Sequence, residues 1–184
     1  MNDENDGAPD AKTATQSKKP AKPALSTEKR VRLLGEAVGK AVMENKINAL
    51  HKLFAPWLQA EVSAKALKKI FDTANEDLPE PADFELIPND VKLDDLRDQQ
   101  AAVDRETEDG EPMTLATWDG ELTGPYTFPI QDAISDENFR QALAIQFSPD
   151  DEEDEIDSCY ALYLIVVEVE GEMRVGYLEV GEEQ

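Results

Sequence analysis

The feature that most constrains the fold is an apolar run close to the C-terminal end of the sequence. Residues Cys159 to Val167 are almost continuously apolar, and the run is too short and too β-branched to form a helix. Such a run predicts a central strand of a sheet, covered on both faces along its first half. Glu170-Gly171 then forms a turn signal, and residues 173–180 predict a final strand that pairs back onto the apolar run.

Other stretches in the second half of the chain also follow strand patterns. Apolar and other residues alternate from Phe139 to Phe147, which predicts a half-buried strand. Residues 113–118 predict a strand that ends in the hairpin turn Asp119-Gly120. The return strand, residues 121–130, contains prolines and therefore belongs at an edge or carries a bulge. Residues 84–87 predict a further short strand.

The first half of the chain has helical periodicity instead. A first helix begins at the hydroxyl residues near Ser26 and runs to about Glu44, with Gly35 and Gly39 on one face, where they predict close packing against another backbone. A second helix starts at Ile47, and Pro56 should end or disturb it. Ser63 caps a third helix, and Asp90 caps a fourth. Helices followed by hairpins predict an α+β fold, with N-terminal helices packed on a curved antiparallel sheet.

Length and composition bound the organisation of the chain. The 184 residues suit one domain, residues 26–184, preceded by a disordered tail at residues 1–25 that holds too little apolar surface to fold. The tail contains a basic, proline-rich patch, residues 18–23, which is either simply solvated or a docking peptide for an acidic surface such as the chain's own acidic half. A single cysteine excludes an internal disulfide, and no secretory signal or membrane segment is recognisable, which predicts a soluble cytoplasmic protein.

Charge is divided unevenly along the chain, whose formal net charge is -23. Residues 1–72 carry 13 basic and 9 acidic side chains, whereas residues 73–184 carry 5 basic and 32 acidic ones. A surface this acidic repels nucleic acids and anionic membranes and attracts basic proteins. The expected partner is therefore a basic protein, with no nucleic acid and no membrane, although the charge also serves solubility.

One stretch concentrates this charge into a candidate partner-binding loop. It has no glycine at a turn position and no calcium-loop spacing, so it predicts no dedicated metal site. It is either a docking surface for a basic partner or a mobile solvated loop. Its acidic residues are Asp150, Asp151, Glu152, Glu153, Asp154, Glu155 and Asp157.

Residues able to support catalysis are few. His51 is the only imidazole, and at the margin of a helical apolar stripe it is more often an edge residue with one hydrogen bond than a general base. Cys159 has acidic neighbours, which argue for an inert thiol. No catalytic residue, metal site or cofactor is predicted. A candidate pocket would be lined by His51 and by the aromatic residues Trp118, Tyr126, Tyr163 and Tyr177.

The order of elements and the stretch from Ala41 to Leu58, which reads AVMENKINALHKLFAPWL, resemble the opening of nuclear transport factor two-like, cystatin-type cone domains. The resemblance covers residues 28–75 by motif and the rest by element order, while residues 76–112 are longer than the usual connection. It implies helices and a bent sheet that enclose a pocket. Members include dehydratases, isomerases, small-molecule binders and noncatalytic subunits that dimerise through the sheet, so the resemblance leaves open a homodimer of this chain through the sheet. None of their catalytic motifs occurs in this sequence.

Three functions stay open on this basis. The first is a noncatalytic binding, adaptor or inhibitor-like protein that engages a basic protein. The second is a small-molecule binder or an enzyme of the isomerase or dehydratase kind that uses the cone pocket. The third is a nucleic-acid mimic whose carboxylates are spaced like phosphates.

Overall fold

The computed structural model describes residues 24–77, 80–98, 130–149 and 160–182. Within these ranges helices precede an antiparallel sheet, which confirms the predicted α+β fold class. A short additional helical stretch spans residues 93–98, after the Asp90 that was expected to cap a helix. The labelled elements are α1 (Thr27–Met43), α2 (Ile47–Lys52), α3 (Pro56–Glu61), α4 (Ala64–Asp77), β1 (Pro81–Asn89), β2 (Phe139–Pro149), β3 (Tyr160–Val169) and β4 (Glu172–Glu182).

Serine hydroxyls start two of the helices, as the sequence predicts. The Ser26 side chain accepts a hydrogen bond from the Lys29 backbone N–H at 3.3 Å, at the start of α1. The Ser63 side chain accepts one from the Ala66 N–H at 3.1 Å, at the start of α4. Each bond satisfies a backbone donor that the first helical turn leaves unpaired.

Pro56 follows the end of the second helix, as expected, and also begins another helix, which was not expected. The second helix ends at Lys52, before the proline, and Pro56 is the first residue of a separate helix, α3. Proline suits this position because its fixed φ is helical and its missing N–H would have no partner there. The described N-terminal region before residue 78 therefore has four helices, where the sequence pattern predicted three.

The sheet has the strand order β1-β2-β3-β4, and every neighbouring pair is antiparallel. The predicted apolar strand is β3, and it is internal in this sheet. The turn between β3 and β4 contains Glu170 with φ of 51° and Gly171 with φ of 81°, so both residues adopt the left-handed conformation that a tight hairpin requires. The short strand predicted at residues 84–87 extends over the whole of β1.

Two bulges bend the sheet near one end. Arg140 is the extra residue in the pairing of β2 with β3, and Gly176 is the extra residue in the pairing of β3 with β4. Beside the second bulge, the Val175 N–H donates to the Leu53 carbonyl at 2.9 Å, and the Ala55 N–H donates to the Val175 carbonyl at 2.7 Å. The chain between α2 and α3 is thereby fixed to β4.

The glycines of α1 bring that helix close to the sheet. A Cβ atom at Gly35 would lie 2.6 Å from a methyl carbon of Leu143, and one at Gly39 would lie 2.5 Å from the Phe84 ring. The close packing expected from their spacing is present, but the partners are side chains of β1 and β2 and not another backbone. This contact places α1 across the first two strands.

Substituting Gly39 by alanine is expected to destabilise the protein by about 1–2 kcal/mol, because overpacking outweighs the gain in helix propensity. Combining the change with Phe84→Ala removes the clashing ring, and there the same substitution should become neutral or stabilising. Urea unfolding of the four proteins in this double-mutant cycle measures the coupling. Equal effects of Gly39→Ala with and without the ring would contradict the packing described here.

Several predicted features lie outside the described residues. They are the strand at residues 113–118, its hairpin turn, residues 121–129 of the return strand and the tail before residue 24. The C-terminal part of the helix expected after Asp90 also lies outside them.

Candidate binding groove between the first helix and the edge strand

An open groove of about 710 Å³ runs between α1 and β1. Its floor is apolar, and the large side chains of Phe84 and Leu86 in that floor are only half-buried. Charged side chains from both elements form the rim. The residues that line the groove are Glu28, Val31, Arg32, Glu36, Lys40, Phe84, Glu85, Leu86, Pro88, Gln141 and Leu143.

The register of the sheet directs these side chains. Phe84 pairs with Phe147, Leu86 with Ile145 and Pro88 with Leu143. Because side chains alternate between the two faces of a strand, the even-numbered residues of β1 face α1, whereas Glu85 has the opposite parity and borders the groove only at the strand margin. The groove floor is therefore the part of the core face that α1 leaves uncovered.

The outer backbone edge of β1 is poorly suited to accepting another strand. Within the described ranges, β1 has a neighbouring strand, β2, on one side only. Pro88 has no N–H that could donate to β2. Its position is therefore one of those at which the backbone groups of β1 point outward, away from β2. Phe84 has the same parity, and its N–H already donates to the Asp83 carboxylate at 2.8 Å. Two of the outward positions of β1 therefore offer no free N–H to an added strand.

An acidic segment begins just before β1 and continues past it to Asp98. Residues 80–98 carry seven acidic and two basic side chains, and all seven acidic residues are exposed. None of the seven takes part in an ion pair with another described residue. The basic Arg97 is engaged, because its guanidinium donates to the Ile134 carbonyl at 2.6 Å. The acidic residues of the segment are Glu80, Asp83, Glu85, Asp90, Asp94, Asp95 and Asp98.

A separate charged cluster has a structural role. Glu168 accepts hydrogen bonds from Arg30 at 3.0 Å and from Arg140 at 2.8 Å, so one carboxylate joins α1, β2 and β3. Arg30 also donates to the carbonyl of Gly171 in the β-hairpin turn at 2.5 Å. The hydrogen bond from Arg140, followed by that from Arg30, holds the pKa of Glu168 below its ordinary value.

This cluster predicts a pH dependence of stability. Because the pKa of Glu168 is lowered in the folded state, its contribution is complete above the ordinary value of 4.5 and is lost as pH falls through the lowered pKa. The free energy of unfolding of Glu168→Gln should therefore be lower than wild type at neutral pH, with the difference shrinking in acid. Urea unfolding of both proteins between neutral and acidic pH gives this difference curve.

The difference between Glu168→Gln and wild type must be measured at each pH, because two other carboxylates change the pH dependence of stability in the opposite direction. Burial raises the pKa of Glu61 and of Glu179, so their contributions to stability improve as pH falls. Glu170→Gln removes one charge from the adjacent exposed turn and serves as the matched control. A Glu168→Gln difference that stays constant across the acidic range would refute the assignment.

His51 lies in the helical layer, away from the groove residues. It is half-buried on α2, and its Nε2–H donates to the Val62 carbonyl at the end of α3 at 2.7 Å. Its ring centroid is 5.7 Å from that of Phe54. This matches the expectation of an edge residue with one hydrogen bond.

Tyr163 and Tyr177 lie on the sheet face opposite α1. Tyr163 is 42% exposed on β3, and it pairs with Glu179 on β4. Tyr177 is buried, and its hydroxyl donates to the Glu179 carboxylate at 2.8 Å. The structure therefore brings these two tyrosines together around Glu179 and keeps His51 apart from them, on the other side of the sheet.

The remaining predicted site residues lie outside the described residues. They are Trp118, Tyr126 and the acidic loop at residues 150–157. The groove itself is absent from the sequence-based prediction, although two signals for it were available. The Gly35–Gly39 spacing indicates close packing of α1, and the excess of acidic residues after position 72 includes the acidic segment.

Other site types have no support in the part of the chain that the structure describes. Over residues 24–77, 80–98, 130–149 and 160–182, no cluster of three or more His, Cys, Asp or Glu side chains could hold a metal ion. None of the helices in those same ranges has the length and apolar character needed to cross a bilayer.

Comparison with known proteins identifies no relative of this chain. No family model, no curated protein and no solved structure matches the chain. The resemblance to cone domains accordingly stays a prediction, and the candidate site stands on the geometry of the groove.

Proposed function

We propose that this chain is a noncatalytic binding protein whose α1–β1 groove holds a basic, partly apolar segment of a partner protein. The observation that carries the proposal is the open apolar floor between the helix and the edge strand, where Phe84 and Leu86 remain half-buried. Large apolar side chains left accessible in a concave surface favour a binding site.

The charges around the groove support a basic occupant. Among the rim residues, Arg32 is paired with Glu36 at 3.1 Å, whereas Glu28, Glu85 and Lys40 form no ion pair with another described residue, which leaves the rim with one net negative charge. The acidic segment carries further negative charge along the chain beyond β1. Charge complementarity of this kind accelerates association and selects the partner, while apolar contacts supply most of the affinity.

The packing of the interior favours a surface site over an enclosed pocket. Between the helices and the sheet, large side chains are almost completely buried against one another. They include Leu50, Phe54, Leu58, Leu67, Ile70, Phe71 and Ile145. In the described part of the molecule, the groove is therefore a better place for a ligand than this filled space.

We place this binding protein in the cytoplasm, because a chain with one cysteine and no disulfide suits a reducing compartment. A partner in that compartment would be a protein with an exposed basic segment.

A synthetic peptide of alternating lysine and leucine residues is a direct probe of the proposal. The full chain should bind it, and binding should weaken as ionic strength rises from 50 to about 500 mM, because salt screens the attraction. The double variant Glu28→Lys/Glu85→Lys reverses the two unpaired negative charges of the rim and should bind about tenfold more weakly, as expected for two exposed charge pairs. Fluorescence anisotropy of the labelled peptide measures these affinities.

The control variant Asp132→Lys/Asp136→Lys makes the same change in net charge at exposed positions outside the groove lining. A peptide of alternating glutamate and leucine tests the sign of the charge. Equal loss of affinity in both double variants would show that only net charge matters. That result, or binding that ignores salt, would overturn the proposal for the groove.

A further inference from the structure

The groove begins where the N-terminal tail joins α1. Glu28 and Val31 lie in the first two turns of the helix and line one end of the groove together with Pro88. The described chain starts at Ala24, only four residues before Glu28. Any segment just before Ala24 is therefore tethered next to the groove.

The sequence of that segment matches the chemistry expected of an occupant. Residues 18–23 read Lys-Lys-Pro-Ala-Lys-Pro, with three positive charges and two prolines. Proline-rich segments bind in grooves that contain aromatic side chains, because their extended conformation costs little ordering entropy. Phe84 supplies an aromatic side chain in the floor, and Glu28 and Glu85 supply opposite charge.

The reach of the tail segment can also be compared with the length of the groove. Between Lys18 and Ala24 the chain can extend by roughly 20 Å. Along α1, the distance from Glu28 to Lys40 is about 18 Å at the helical rise per residue. A segment that folds back from Ala24 can thus enter the groove at its Glu28 end and cover part of its length, while Lys40 at the far end repels its lysines. Tethering raises the local concentration of the segment to the millimolar range for a short linker.

We infer that residues 18–23 occupy the α1–β1 groove in the free protein and compete there with a partner's basic segment. The inference rests on the proposed function for the partner, but the contact within the chain does not depend on it. The tail is then an intramolecular competitor that lowers the affinity for external basic peptides.

The test compares two triple variants of the full-length chain that change the net charge equally. Lys18→Ala/Lys19→Ala/Lys22→Ala alters the tail, and Lys46→Ala/Lys52→Ala/Lys65→Ala alters exposed lysines outside the groove lining. The first readout is the methyl NMR spectrum without peptide. We expect the groove methyl signals of Val31, Leu86 and Leu143 to shift in the tail variant and to stay in place in the control.

The second readout is the affinity for the lysine–leucine peptide, which should rise about fivefold more in the tail variant than in the control. Unchanged groove signals in the tail variant would overturn the inference, whatever the peptide does. Shifted groove signals without peptide binding to any variant would support the contact within the chain and reject the proposed partner. The two ideas can therefore fail separately.

Discussion

Replacing Phe54 by alanine is expected to lower the free energy of unfolding by about 3–5 kcal/mol, the usual cost of deleting a buried aromatic ring. The ring is 1% exposed and lies between α2 and α3. The residues on either side of it, Leu53 and Ala55, hydrogen-bond to the backbone of Val175 on β4. The cavity left by the substitution cannot collapse easily, because these bonds hold its wall in place.

Urea unfolding measures the Phe54→Ala effect, with Leu33→Ala as the matched control. Leu33 is 45% exposed on α1, so its truncation should change the free energy of unfolding by less than about 0.5 kcal/mol. A loss below about 1.5 kcal/mol for Phe54→Ala would mean that the α2–α3 junction is not packed on the sheet as described.

Replacing Gly176 by valine is expected to cost about 2–4 kcal/mol, because overpacking adds to the disturbance of a hydrogen bond. A Cβ atom at this bulge would lie 2.8 Å from a methyl carbon of the fully buried Val167 and 3.4 Å from Ile134. The Gly176 carbonyl also accepts a hydrogen bond from the Trp57 indole at 2.9 Å. The bulge therefore needs a residue without a side chain.

Gly181→Val provides the control for Gly176→Val in the same strand. A Cβ atom at Gly181 would have the Tyr163 ring at 3.5 Å, which is an ordinary contact, and valine favours strands. Gly181→Val should thus be close to neutral or stabilising. Thermal and urea unfolding that rank the two variants in the reverse order would contradict the bulge geometry.

Local patterns in the sequence were sufficient for the starts of α1, α2 and α4 and for the positions of all four described strands, although β1 is longer than predicted. The hydroxyls of Ser26 and Ser63 predict helix starts because capping depends on neighbours three residues away. The turn signal Glu170-Gly171 predicts the β3–β4 hairpin, because a tight turn likewise depends only on residues that are adjacent in sequence. The break of the second helix before Pro56 was predicted, but the helix α3 that Pro56 begins was not, because a proline that ends one helix and a proline that begins the next have similar surroundings in sequence.

Long-range pairing was the part that sequence could not supply. β1 and β2 are separated by about fifty residues, and no local signal states that Phe84 lies opposite Phe147. The groove depends on this pairing and on the position of α1 above it. The glycines at positions 35 and 39 indicated close packing, but their partners, Phe84 and Leu143, come from different strands.

The most direct test of the groove as a binding site is a methyl NMR titration of the full chain with the lysine–leucine peptide. The account predicts shifts that grow with peptide concentration at Val31, Leu86 and Leu143, while Leu162 and Val180, which pair with each other on β3 and β4, change little. Shifts absent from the groove methyls, or confined to the sheet face that bears Tyr163, would contradict it.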